Sequence, residues 1–117
     1  MNQRTETIIL LAPTVVTASG VTGSVDLSRF AEATLFANAT AITGAGATVV
    51  VAHQYSHDNV EWYSTPAAEN SAGITAAADW VMYLANKAAT WYRVAYTITG
   101  TTPQMTLEFT LVGKVYS

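Results

Sequence analysis

With 117 residues and no cysteine, this chain has room for one domain, residues 1–117, whose core must form without disulfides or thiolate-bound metal. Charged residues are only 11% and apolar ones 50%, which excludes a disordered chain and a coiled coil. Five Lys and Arg against eight Asp and Glu, a net charge of −3, offer no basic face for phosphates, so nucleic acid is not an expected partner.

In chain order, Met1–Glu6 is polar and reads as an N-terminal arm or the lead-in to a strand. Thr7–Thr17 is rich in Ile, Leu, Val and Thr and is split by Pro13, which belongs at a strand edge or bend. Arg4 followed by Ile8–Val16 has the outline of a signal peptide, but Glu6 stands in the would-be positive region, and secretion is not expected. The longest apolar run, Ile8–Pro13, falls far short of the ~20 residues of a membrane span, so no membrane partner is expected. Ala18–Gly23 reads as a turn, Val25–Leu27 as a short strand, and Ser28–Phe30 as another turn.

Ala33–Ile42 sets Leu35, Ala37 and Ala39 against Phe36, Asn38 and Thr40, the period of a strand with one buried face. Thr43–Ala47 contains two glycines and reads as a hairpin loop. Gly44-Ala45-Gly46 is no dinucleotide fingerprint, because it lacks a third glycine and a following helix. Thr48–Ser56 carries Val49, Val51, His53 and Tyr55 on one face, and His57-Asp58-Asn59 turns the chain. Ser64–Ala78 has no apolar stripe of helical period and reads as a long loop with a short strand near Ile74. Trp80, Met82 and Leu84 then alternate with Val81 and Tyr83, and Asn86–Thr90 turns back.

The clearest alternation is at the C-terminal end. Tyr92, Val94, Tyr96 and Ile98 oppose Arg93, Ala95 and Thr97. Met105, Leu107, Phe109 and Leu111 oppose Thr106, Glu108 and Thr110. Gly100–Gln104, with Pro103 unable to donate a ladder hydrogen bond, separates the two, and Trp91–Val112 reads as an antiparallel hairpin walling a sandwich. About eight short strands with regular turn signals predict an all-β, antiparallel β-sandwich of jelly-roll-like kind.

The residues that could carry chemistry have plainer readings. His53 and His57 lie ~13 Å apart along a strand, too far to share a metal, and are expected half-buried and exposed, respectively. Asp26, Asp58, Glu61, Glu69 and Asp79 lie in or beside loops and could meet around calcium, although no EF-hand spacing is present. No nucleophile motif occurs, so the chain is not expected to be an enzyme, and no catalytic, cofactor or metal residue is assigned. Asn38-Ala39-Thr40 matches a glycosylation sequon but sits inside a strand. Trp62, Trp80 and Trp91, with Tyr55, Tyr63, Tyr83, Tyr92 and Tyr96, suit either a sugar-binding platform or the bulky half of a core otherwise built of Ala and Val. Charge this sparse also points to a surface covered by neighbours, hence to self-association.

Val49–Tyr63, VVVAHQYSHDNVEWY, resembles small structural proteins of tailed bacteriophages, in which a strand runs into an acidic turn, usually Asp-Gly, and a Thr-Trp or similar pair. WYRVAYTITGTTPQMTLEFTLVGK, from Trp91 to Lys114, resembles their closing hairpin, with its aromatic-Arg-Val strand, Gly-Thr-Ser/Thr-Pro turn and Phe-Thr-Leu strand. The resemblance covers about the second half of the chain and departs from the pattern at Asn59, where Gly is usual, and at Ser64–Ala78. It implies a jelly-roll-like virion protein, made in the host cytoplasm and placed on the capsid surface as a decoration protein. Such proteins are commonly trimers that cement the major capsid protein. A head–tail or tail component is the alternative within the class, and a carbohydrate-binding module the alternative outside it.

Overall fold

Wherever apolar and polar side chains alternate, the chain is extended, and the alternation picks out the buried positions. The computed structural model describes residues 3–84 and 91–116, in seven strands: β1 (Gln3–Val16), β2 (Gly20–Val21), β3 (Val25–Asp26), β4 (Phe30–Ser56), β5 (Tyr63–Ser64), β6 (Ala78–Tyr83) and β7 (Trp91–Tyr116). A 3-10 turn, Ala67–Glu69, is the sole helical element among the described residues. Every strand pairing is antiparallel, and the fold is an all-β sandwich of the jelly-roll-like kind expected.

The strands are fewer and longer than the sequence suggests. The hairpin expected over Trp91–Val112 does not form: its two halves are one strand, β7, 26 residues long. The glycine-rich Thr43–Ala47 is likewise no hairpin loop but part of β4, which runs for 27 residues. These two strands pair with each other from Phe30↔Val115 to Ser56↔Trp91. Midway the ribbon bends, with register slips between Thr40 and Thr48. Five residues there take a positive φ: Ala41 (52°), Gly44 (107°) and Gly46 (67°) in β4, Gly100 (122°) and Thr102 (48°) in β7. Slips of this kind bend a strand and increase its twist. At Gly100 the turn is so tight that a Cβ would sit 2.8 Å from the Ala47 Cα, which only glycine avoids.

The bend divides the ribbon between two walls. In the first, β1 pairs with the C-terminal half of β7, that half with the N-terminal half of β4, and the latter with β6. In the second, β2 and β3 flank the N-terminal half of β7, while β5 and an isolated Val49↔Ile74 bridge flank the C-terminal half of β4. The inner faces close on one core. From the first wall come Leu35, Phe109 and Leu111, from the second Val51, Tyr92 and Val94, all fully buried. Tyr96 of one wall meets Phe109 of the other at a ring separation of 6.0 Å, so the two segments expected to line one wall instead face each other across the core.

The N-terminal segment is strand where it is described. Gln3–Glu6 pairs with Tyr116–Gly113, so only Met1 and Asn2, outside the described residues, remain of the expected arm. Glu6 is bound through both carboxylate oxygens by Arg29, at 2.5 and 3.2 Å, tying β1 to the turn before β4. The turn expected at Asn86–Thr90 also lies outside the described residues.

Candidate functional site

The buried polar group with most chemical character is His53, on the inner face of β4. It is 2% exposed, deeper than the half-burial expected for an isolated strand histidine, because the Ser64–Ala78 loop and β6 close over it. The strand period places its ring beside those of Tyr92 and Tyr55, at 5.4 and 6.2 Å. Its Nδ1 lies 2.6 Å from the Tyr92 hydroxyl. Burial lowers the His53 pKa, against the weaker pull of the Glu69 carboxylate and a hydrogen bond to the Tyr83 backbone carbonyl. The neutral ring then donates to Tyr83 and accepts from Tyr92. The phenol itself is held far above the ordinary tyrosine range by burial. The ring thus joins β4 to β7 within the second wall and reaches Tyr83 of the first, at the base of the groove between β6 and the Glu69–Ile74 segment.

The other candidate residues are scattered. His57 is in the exposed turn, as expected. Asp58 accepts the backbone N–H groups of Val60 and Glu61 at 2.9 Å each, which hold its carboxyl below the usual range. Asn59 in this turn has φ 62°, which explains how Asn stands where the phage pattern has Gly: both residues tolerate the left-handed region. Asp26 accepts from the Ser28 N–H, and Asp79 accepts from the Asn38 side chain. Among the described residues, no three His, Asp or Glu side chains come together in a way that could hold a metal. Asn38 of the sequon lies within β4, paired with Glu108 and Asp79.

The aromatic residues do not form a single row. Tyr55 and Tyr92 are core, and Tyr96 is packed against Phe109. Trp62 lies under the Arg93 guanidinium at 4.3 Å, and Tyr63 stacks on His57 at 6.1 Å, beside the turn. Trp80 is half-buried; its indole N–H has no protein partner and borders an open groove of about 520 Å³ between β6 and the Glu69–Ile74 segment. Tyr83 stands apart on the outside of the first wall, 74% exposed.

That outside face is the most unusual surface of the molecule. Register sets two rows across four strands: Ile9–Thr110–Phe36–Val81, and beside it Thr7–Val112–Thr34–Tyr83. Four of the eight exposed large apolar side chains among the described residues, Ile9, Phe36, Val81 and Tyr83, lie here. Neither row contains a charge. Beyond the second row is the Lys114–Glu32 ion pair, 3.4 Å long and open to solvent; beyond the first is Glu108 with Asn38 and Asp79. In the sequence Phe36, Val81, Tyr83 and Thr110 are set apart only by alternation, and Thr7 and Ile9 not at all; register aligns them into a patch.

In sequence the chain matches no protein-family model and no curated protein. In structure, all of it superimposes on part of a chain of infectious bursal disease virus, Gx strain, with a TM-score of 0.59 and 11% identity. This chain spans 34% of that one. The SPBc2 prophage-derived protein YomS gives a TM-score of 0.48 at 12% identity over 97% of this chain and 96% of its own. The first likeness establishes a shared fold.

Proposed function

We propose that this protein is a non-enzymatic structural component of a tailed-phage particle, a decoration protein on the capsid surface that acts by binding copies of itself and the major capsid protein. The observation that carries this reading is the uncharged outer face, two cross-strand rows with exposed apolar side chains on a rigid wall. A contiguous apolar patch of this kind marks a protein contact surface. The phage-type segments Val49–Tyr63 and Trp91–Lys114 support the particle, and the end-to-end fold likeness to a chain of a virus supports a structural role. The dispersed aromatics weigh against a sugar platform. Sedimentation of the purified protein, alone and mixed with phage capsids lacking it, tests the proposal. Self-association and co-sedimentation are expected, and the measured mass distinguishes the trimer that the phage resemblance implies from a closed dimer. A monomer at high micromolar concentration with no affinity for capsids would overturn it.

A further inference from the structure

We propose that the outer face of the first wall is the surface on which a second copy of this chain docks, wall against wall, about a two-fold axis. This rests on the structural reading above and adds the surface and the partner. The first argument is shape and area. Four strands spaced ~4.8 Å, over about seven residues at ~3.4 Å from Glu108 to Lys114, present a face of roughly 20 by 23 Å, grooved on either side of Phe36. With side-chain relief, this approaches the lower end of the area that each partner buries in a stable interface, about 600–800 Å². Sheets stack face to face at ~10 Å when their side chains interdigitate, and the Phe36, Val81 and Tyr83 side chains project between smaller Thr residues that leave room for it.

The second argument is charge. Along the outer side of β7 run Glu108, Thr110, Val112 and Lys114, with an acid at one end, a base at the other and no charge between them. A two-fold axis in the interface, perpendicular to the strands, exchanges the two rows and sets Lys114 opposite Glu108 of the second copy. A two-fold axis along the strands sets Lys114 opposite Glu32 of the second copy. In either arrangement Lys114, the basic residue bordering the patch among the described residues, meets a carboxylate, while the uncharged rows meet each other. A contact of this kind is isologous and closes at two copies, unlike a ring built through sheet edges.

The experiment uses the full chain and three sets of variants, with mass measured by sedimentation and folding by circular dichroism. The wild type is expected to dimerise, and Phe36→Glu with Val81→Glu to remain folded and monomeric. Both positions face outward, so the core is not disturbed. Lys114→Glu alone should weaken dimerisation by roughly tenfold or more, since like charges would then face each other. Adding Glu108→Lys to it restores the dimer if the strands cross antiparallel; adding Glu32→Lys restores it if they run parallel. An assembly of any size that is indifferent to these changes overturns the proposed face and leaves the structural role standing. A monomer that still binds capsids does the same. A monomer that ignores capsids overturns both.

Discussion

The two walls share their central strands yet are completed by different means. The first is finished by real strands: β1 pairs with β7 at eleven positions and β6 with β4 at six. The second is finished by fragments that dock on the ribbon through hydroxyl side chains. Thr22 accepts the Val94 N–H at 3.0 Å and donates its own N–H to the Val94 carbonyl at 2.9 Å. Ser71 does the same for Val51, at 2.9 and 2.8 Å. Ser19 accepts the Ile98 N–H at 2.8 Å. Buried backbone groups must be paired, and a Ser or Thr placed at the edge can stand in for a strand that the sequence does not supply. Strand pairing therefore completes the first wall and leaves its outer face, grooved on either side of Phe36, available for contact. In the second wall the edges are used up internally by loops.

Four substitutions probe this contrast. The largest loss is expected from Phe109→Ala, which empties a fully buried site beneath Tyr96 where the walls meet. Unfolding in denaturant should show about 3–5 kcal/mol less stability, and a change below about 1 kcal/mol would mean that the walls are not packed through this residue. Gly100→Ala attacks the bend that separates the walls. The dihedral strain alone costs about 1–3 kcal/mol, and the 2.8 Å approach to Ala47 adds to it. A variant as stable as the wild type would show that the bend relaxes freely.

Thr22→Val tests the hydroxyl docking of the second wall. Its shape is preserved, but the Val94 N–H loses its side-chain acceptor, at a cost of about 1–3 kcal/mol. Hydrogen exchange should speed up at Val94 before it does in β1; uniform exchange across both walls would contradict the division drawn here. The smallest effect concerns pH. The folded His53 has a pKa below the ordinary 6.5, so the unfolded chain binds the extra proton as pH falls through that value. Stability is thus fully present above about pH 6.5 and declines below it toward the folded pKa. His53→Leu weakens the protein at neutral pH by stranding the Tyr92 hydroxyl, yet its stability should fall less steeply from pH 7 to pH 5. An unchanged slope, read from urea midpoints, would show that His53 titrates freely in the folded state.

The sequence by itself determined which face is buried wherever apolar and polar residues alternate, in β4, β6 and β7. Alternation placed Val49, Val51, His53 and Tyr55, and Met105, Leu107, Phe109 and Leu111, on the core side, because successive strand side chains point oppositely whatever the strand pairs with. It also located the Asn59 turn, the bend at Pro13 and the Ile74 bridge. It did not decide what Gly100–Gln104 and Thr43–Ala47 do. Glycine and proline mark a break in regular extension, and that break serves a hairpin or a bulged bend equally well. Only the pairing of β4 with β7 along their whole lengths selects the bend, since each strand then keeps one partner through it instead of folding back on itself. The same non-local pairing made the outer face. Ile9, Phe36, Val81 and Tyr83 are far apart in sequence and individually ordinary; the antiparallel register of four strands brings them together into one patch.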